Sequence, residues 1–352
     1  MNIAIGMKIT QGPFGGGNQF GKYLSSFLQN LGHHVFFDLD CDKLDIILLT
    51  DPRTSMQSVT FGPLEIMRYV NDINSSVLLV QRINECDERK GTHGLNRLLS
   101  AANGIMDHTV FISSWLERLH RKQNLFTKNS SVIKNGADRS VFTYQRKQLP
   151  TDRKIRLVTH HWSANWNKGW DVYSHLDQLL ATTNLGEQLE FSYIGNVPAK
   201  TSLKVTNIIP PLSGAELAQE LHRHNVYISA SVNEPAGMHH IEGALCGLPL
   251  LYRNSGALPE YCNGYGIRFD GVTDFKECLE TLVEQYDVFA QHMSRYNHTS
   301  ERMCQEYLDL FERILRHRDG ILSHRQRKNF SLLHKFVIRG WQNVYRLTSM
   351  VE

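Results

Sequence analysis

Short apolar runs alternate with helix-patterned segments along almost the whole chain, and this alternation leaves few folds open. Ile3–Ile9 predicts a first strand, followed by a glycine-rich turn at Gly12–Gly17. From Phe20 to Leu31 the apolar residues Phe20, Tyr23, Leu24, Phe27, Leu28 and Leu31 recur at helical spacing, with Gly32 as C-cap. Val35–Leu39, Asp45–Thr50, Ser76–Gln81, His108–Ser113 and Ser131–Lys134 predict further strands. After the polar stretch Tyr144–Lys154 a second series begins, with strands at Ile155–Thr159, Leu189–Ile194, Val205–Ile209, Val226–Ala230, Pro249–Tyr252 and Gly266–Phe269. His239–Cys246 and Asp274–Tyr286 are expected helices between them. Strands that alternate with helices pair in parallel. Two such series predict an α/β protein of two Rossmann-like, doubly wound domains facing a cleft, residues 1–148 and 149–296, followed by helical segments at 297–318 and 319–352. Ligands of such sheets bind beyond the carboxyl ends of the strands, so the loops there hold the candidate residues.

The length agrees, since 352 residues exceed one ordinary core and suit two units of about 150 each. A formal charge of +3 argues against nucleic acid as a partner. The six cysteines show no C-x-x-C pair or metal-ligand spacing, so reduced thiols and a cytoplasmic location are expected. No run approaches the ~18 apolar residues needed to cross a bilayer.

The densest chemistry follows Val226–Ala230, in Ser231-Val-Asn-Glu234-Pro-Ala-Gly237-Met238-His239-His-Ile-Glu242-Gly-Ala-Leu-Cys-Gly247-Leu-Pro249. A strand, a Pro-Gly loop and a helix start are expected. Backbone N–H groups of Gly237, Met238 and His239 at that helix start suit an anion such as a pyrophosphate. Carboxylates accept hydrogen bonds from hydroxyls but repel phosphate, so Glu234 and Glu242 should flank the anion and bind neutral, hydroxyl-rich groups.

Glu234 and Glu242, with seven residues between them, precede Gly247-Leu-Pro249 and Ser255-Gly256-Ala-Leu-Pro259-Glu260. This order resembles the E-x7-E region of the retaining GT-B-fold glycosyltransferases of the "group 1" class. The resemblance implies that Glu234 contacts hydroxyls of a donor sugar, that Glu242 binds the nucleotide ribose, and that Ser255 and Gly256 lie near the donor. His160-His161-Trp162-Ser163-Ala-Asn-Trp-Asn-Lys168-Gly169 resembles the class's strand, loop and Lys-Gly helix start, where an arginine and a lysine clamp the diphosphate. Lys168 matches the lysine. The arginine is replaced by His160, His161 and Ser163, which leaves His161 and Ser163 as donor-binding candidates.

Gly15-Gly16-Gly17-Asn18 resembles the loop after the first strand of these enzymes, with Gly16 and Gly17 approaching donor and acceptor. Val110-Phe-Ile-Ser113-Ser-Trp115 and Asn135-Gly136-Ala-Asp138 resemble the end of the class's first domain. Gln81-Arg82-Ile-Asn84-Glu85-Cys-Asp87-Glu-Arg89-Lys90 is dense in charge directly after a strand. Many relatives place a histidine that assists at the reacting centre near this position; here Arg82, Asn84 and Glu85 stand there, with Arg82 and Glu85 as the catalytic candidates and a salt-bridged loop as the alternative. The resemblance implies transfer of a hexosyl group from a UDP- or GDP-linked sugar to a glycan, lipid or protein hydroxyl in surface glycan or glycolipid synthesis. Neither cofactor nor metal is expected, the nucleoside diphosphate sugar being a co-substrate.

Three other readings compete. A glycine-rich turn after the first strand, with Asp38 or Asp40 about twenty residues on, suits an NAD(P)-dependent oxidoreductase, although the spacing is not G-x-G-x-x-G. Asp38-Leu-Asp40-Cys-Asp42 contains D-x-D, which suits a metal-carried diphosphate or solvated turn acids. A catalytically inactive sugar-nucleotide-binding protein would carry the same motifs.

Glu301–Leu315 is an amphipathic helix, and the resemblance implies that this segment, 297–318, is a crossover helix that packs back on the first domain. Beyond it the extension is basic, with Arg318, Arg325, Arg327, Lys328, Lys335, Arg339 and Arg346 against Asp319 and Glu352. Phe330, Leu333, Phe336, Val337, Trp341, Val344 and Tyr345 recur at helical spacing. Such a helix either packs on the protein or lies on anionic lipid, which would place the chain peripherally at the inner face of a membrane.

Overall fold

A computed structural model describes residues 1–10, 12, 15–123, 129–148, 154–199, 201–326, 330 and 332–348. Arg327, Lys328, Glu352 and part of both the glycine-rich turn and the polar stretch before residue 155 lie outside the described residues. Contacts group Met1–Thr10, Gly17–Lys134 and Glu301–Glu352 into one unit, and Gln11–Gly16 with Asn135–Ser300 into a second.

The first unit holds β1 (Asn2–Ile5), β2 (His34–Phe36), β3 (Ile46–Leu49), β4 (Leu78–Ile83), β5 (His108–Phe111) and β6 (Ser130–Val132). All are parallel, in the order β2-β1-β3-β4-β5-β6. β1 ends earlier than its apolar run suggests, because the Met7 N–H turns back to the Ile5 carbonyl at 2.7 Å and leaves the ladder. β3 is buried at every position, as expected for a central parallel strand covered on both faces.

On one face Ile3, Ile46 and Val80 pack with Phe20 and Leu24 of helix Gly16–Asn30, and with Tyr307, Phe311 and Ile314 of helix Ser300–Arg316. On the other, Ile47 and Leu79 pack with Ile66, Met67 and Ile338. Ile338 belongs to the last helix, Leu332–Thr348, which lies chiefly against helix Leu95–Asn103. The extension is thus part of this unit's core. Arg325 of the preceding helix, Arg318–Gln326, pairs with buried Asp107 at 3.1 Å. Asp38, Asp40 and Asp42 are exposed after β2, and the Asp40 N–H donates to Asp38 Oδ1 in a solvated turn.

The second unit holds β7 (Ile155–His161), β8 (Leu189–Gly195), β9 (Asn207–Ile209), β10 (Val226–Ser229), β11 (Leu250–Arg253) and β12 (Gly266–Phe269). They too are parallel, in the order β12-β11-β10-β7-β8-β9. This is the strand order of dinucleotide-binding sheets, with its reversal between β7 and β10. Trp170, Tyr173, Phe191 and Tyr193 fill its core with Phe269, Phe275 and Tyr286. The stretch from Asn135, expected to finish the first unit, is tied to the second. The Asn135 N–H donates to the Tyr261 hydroxyl at 2.8 Å, and Lys147 Nζ to the His222 carbonyl at 2.7 Å.

Ile338→Ala is expected to lower stability by about 2–4 kcal/mol, while Phe336→Ala, two residues away on the opposite, exposed side, changes it by under about 0.5 kcal/mol. Urea unfolding of the two variants measures the difference; equal effects would mean that the helix is not docked by this face.

Candidate functional site

The carboxyl ends of β7 and β10 are neighbours at the reversal of the second sheet, and their loops carry most of the expected residues. After β7 the chain turns through Trp162–Asn165 into a short helical turn, Trp166–Lys168, and then into helix Trp170–Thr182. Gly169 sits between them at φ 103°, and a Cβ there would come within 2.6 Å of the Ala230 backbone. Only glycine meets both requirements, so the Lys-Gly step follows from how closely the two loops approach. The Val232 N–H closes the gap by donating to the Asn167 carbonyl at 2.8 Å.

After β10, Asn233 adopts φ 50°, a left-handed conformation that asparagine tolerates better than most residues, and so delivers Glu234 inward. Gly256 (φ 64°) lies against the Glu234 backbone, where a Cβ would come within 2.4 Å of its nitrogen. The Ala257 N–H donates to the Glu234 carbonyl at 2.7 Å, and Ser255 Oγ accepts from the Asn233 N–H at 2.8 Å. The Asn135 side chain adds a bond to the Ala236 carbonyl at 2.8 Å. Ser255 and Gly256 thus hold the loop that carries Glu234.

Two polar contacts from the β7 arm cross the reversal. Lys168 Nζ donates to Glu234 Oε2 at 2.8 Å, with both side chains buried. His160 Nε2 meets Glu242 Oε2 at 2.7 Å, and its Nδ1 lies 3.1 Å from the Tyr227 hydroxyl. Each glutamate therefore faces a basic side chain from the β7 arm. His161 is buried: its Nε2 lies 2.9 Å from the Tyr173 hydroxyl, and its ring stacks edgewise on His239 at 4.6 Å. His239 Nε2 in turn meets Ser229 Oγ at 2.8 Å. Ser163 is half-buried in the loop and accepts from the Asn165 N–H at 3.2 Å.

Helix His239–Leu245 begins at Met238, after Gly237, whose missing Cβ leaves room for the His239 ring and the Glu234 carboxyl group. It has only seven residues, which limits the anion-attracting dipole expected at Gly237–His239 and leaves Lys168 as the main positive charge. Burial pushes His239 well below its ordinary value, helped by neighbouring His161 and His240. Burial also pushes His240 down to about 3, although Glu234 opposes this. These rings are neutral hydrogen-bonding and packing groups at physiological pH.

Gly16 and Gly17 open helix Gly16–Asn30, which belongs to the first unit from Gly17 onward. Arg82, on β4, is buried with its guanidinium 3.9 Å above the Phe20 ring. Glu85, beyond β4, is bound by Lys90 at 2.9 Å and Arg89 at 3.4 Å. Arg53, after β3, forks onto Asp51 with Nε and Nη2, and its Nη1 donates to the Tyr345 hydroxyl at 3.2 Å. Charge from Asp51 and Glu85 holds Arg53 above its ordinary value despite burial.

Sequence reading passed over Asp51 and Arg53, although Thr50-Asp-Pro-Arg follows a strand as the charged stretch after β4 does. It also passed over Arg253, which forks onto Asp171 and donates to the Ala230 carbonyl at 3.1 Å, beneath the β10 loop. Trp162 and Trp166 stand exposed on the loop leading to Lys168. Among the described residues, no group of three His, Cys, Asp or Glu is placed to hold a metal ion, and no helix is long and apolar enough to cross a membrane.

No family profile and no curated protein sequence matches the chain. Solved structures do match. HepE of Anabaena, in complex with UDP-glucose, aligns at TM-score 0.64 and 10% identity over 89% of this chain and 99% of its own. Sucrose-phosphate synthase of Thermosynechococcus elongatus aligns at 0.63 and 13% over 89% and 99%. A glycosyltransferase of Rickettsia africae ESF-5 aligns at 0.58 and 13% over 89% and 98%. The fold is GT-B.

Lys168→Met leaves Glu234 buried without its cation and is expected to cost about 3–5 kcal/mol. Lys168→Met with Glu234→Leu should recover most of that loss, because no unpaired charge remains. A double-mutant cycle by urea unfolding checks this; additive losses would show that the pair is not coupled.

His240 makes no hydrogen bond among the described residues and packs against Tyr261 at 5.3 Å. Its folded value lies below the ordinary 6.5, so the unfolded chain binds the proton more readily. Stability is full above that value and falls as pH drops through it, by about 2 kcal/mol between about pH 7 and pH 5 from this residue alone. Unfolding at both pH values, for the parent and for His240→Leu, tests the slope, which should be shallower in the variant.

Proposed function

We propose that the chain is a retaining glycosyltransferase that moves a hexosyl group from a UDP- or GDP-linked sugar to an acceptor hydroxyl in surface glycan or glycolipid synthesis. The observation that carries this reading is the pair of cross-links at the reversal of the second sheet, Lys168–Glu234 and His160–Glu242. They put one strong cation and two hydroxyl-accepting carboxylates where ligands of such sheets bind. Glycosyltransferases among the structural matches support the reading, HepE having been solved with UDP-glucose.

In the proposed reaction, the bond from the anomeric carbon to the diphosphate oxygen breaks as the acceptor oxygen bonds to that carbon on the same face. The acceptor proton passes to a donor phosphate oxygen, and the nucleoside diphosphate leaves. Negative charge grows on the diphosphate, and Lys168 is placed to stabilise it. Glu234 accepts from sugar hydroxyls. Glu242, oriented by His160, accepts from the ribose. Lys168 supplies the charge that a divalent ion would otherwise bring, so the proposed reaction is metal-independent. Acceptor binding falls to the charged rim of the first unit, at Asp51, Arg53 and Glu85.

Incubation with UDP- and GDP-sugars should release nucleotide, and EDTA should not slow it. Glu234→Gln should lower kcat by about a hundredfold, since its carboxylate contacts the reacting sugar. Glu242→Gln should mainly raise KM for the donor, by about tenfold. Absence of nucleotide release with every sugar, or saturable binding of NAD in place of UDP, would overturn the reading.

A further inference from the structure

The last helix has two apolar faces, and among the described residues only one is covered. Ile338, Trp341, Tyr345 and Thr348 face the first unit. Ile338 is fully buried, and Trp341 lies against Gly94. Thr348 Oγ1 donates to the His93 carbonyl at 3.1 Å, and Gln342 Nε2 to the Pro52 carbonyl at 3.3 Å. The other face carries Leu332, Leu333, Phe336, Val337 and Leu347, between 41% and 71% exposed, while Val344 lies at the seam against Gly94. A soluble protein seldom leaves such a stripe in water without a use for it.

The charge on this helix selects the occupant. Leu332–Thr348 contains no aspartate or glutamate. Its cations Lys335, Arg339 and Arg346 recur at i, i+4 and i+11, so they line one edge of the apolar stripe. A second copy of the chain meeting this face across a two-fold axis would set cations against cations with no acid on the helix to pair them. An anionic lipid surface satisfies both features at once: the stripe enters the acyl boundary while the cationic edge meets lipid phosphates.

We propose that the outer face of helix Leu332–Thr348 is a docking surface for an anionic lipid bilayer. The same helix is bonded to Pro52, Arg53 and His93 on the rim beyond β3 and β4. Docking therefore holds that rim at the lipid surface. If the glycosyltransferase reading is right, on which this consequence alone rests, a lipid-borne acceptor meets Asp51, Arg53 and Glu85 there.

The test uses the full-length chain, because removing the helix would strip Ile338 from the core. The protein is pelleted with vesicles of phosphatidylcholine alone and of phosphatidylcholine mixed with phosphatidylglycerol. It should pellet with the mixed vesicles and be released by high salt. Leu333→Ser with Phe336→Ser should weaken binding by about tenfold or more, and Arg339→Glu with Arg346→Glu should abolish the preference for anionic lipid. All four positions are exposed, and an unchanged thermal midpoint confirms that the variants fold. No pelleting with anionic vesicles overturns the proposal. So does a dimer in sedimentation that Phe336→Ser dissociates, since a second copy would then be the occupant. UDP titration of the same samples reads the donor site separately, so the two readings fail independently.

Discussion

The ion pair between Lys168 and Glu234 sets the terms for the second unit. Burying two charges is costly unless each is well partnered, and one contact at 2.8 Å cannot hold flexible side chains in place by itself. The surrounding backbone supplies the rest. Gly169 and Gly256 let two loops approach closer than any side chain would allow, while the Asn167–Val232 and Glu234–Ala257 backbone bonds fix them there. The pair therefore arrives preassembled, and its cost is carried by folding of the loops. A lysine already neutralised by a carboxylate can remain buried without a ligand. Under the proposed function it then serves two anions in turn, the glutamate at rest and the diphosphate in the reaction.

The histidines around this pair work differently from what their place in the sequence suggests. His160 and His161 stand where the resemblance calls for an arginine, yet their contacts are with protein groups, Glu242 for one and Tyr173 for the other. His239 and His240 are kept neutral by burial. A neutral ring can fill a core without adding charge, whereas a second fixed cation beside Lys168 would compete with it for Glu234. The proposed donor site thus keeps one fixed cation, Lys168, and surrounds it with imidazoles that pack against or orient its neighbours.

Much of the architecture was legible because parallel strands covered on both faces read as continuous apolar runs. All twelve described strands overlap runs that the sequence marks out. The errors fall at edges, where backbone detail outweighs pattern. The loss of β1 after Ile5 comes from a single turn at Met7, and β9 covers only the last part of its run, where Val205 is half-exposed. Glu234, Glu242 and Lys168 were visible as residue types at set spacing. That each glutamate would face a base from the β7 arm was not, since Lys168 and Glu234 are 66 positions apart and His160 and Glu242 82. Arg53, and with it Asp51, escaped notice because the Tyr345 hydroxyl that Arg53 bonds lies 292 residues away.

The extension shows a different limit. Its sequence supports either a packed helix or an interfacial one, and periodicity could not choose because the helix is apolar on two sides. The structure assigns a separate set of residues to each side. Ile338, Trp341 and Tyr345 recur at three- and four-residue steps and serve the fold, while Leu332, Phe336 and Leu347 lie opposite and are unused by it. Selection for packing alone would leave that outer face polar, as it does at Glu306 and Glu312 on helix Ser300–Arg316. The two readings are therefore not rivals. A helix must first be fastened to the protein by one face before the other can fasten the protein to anything else.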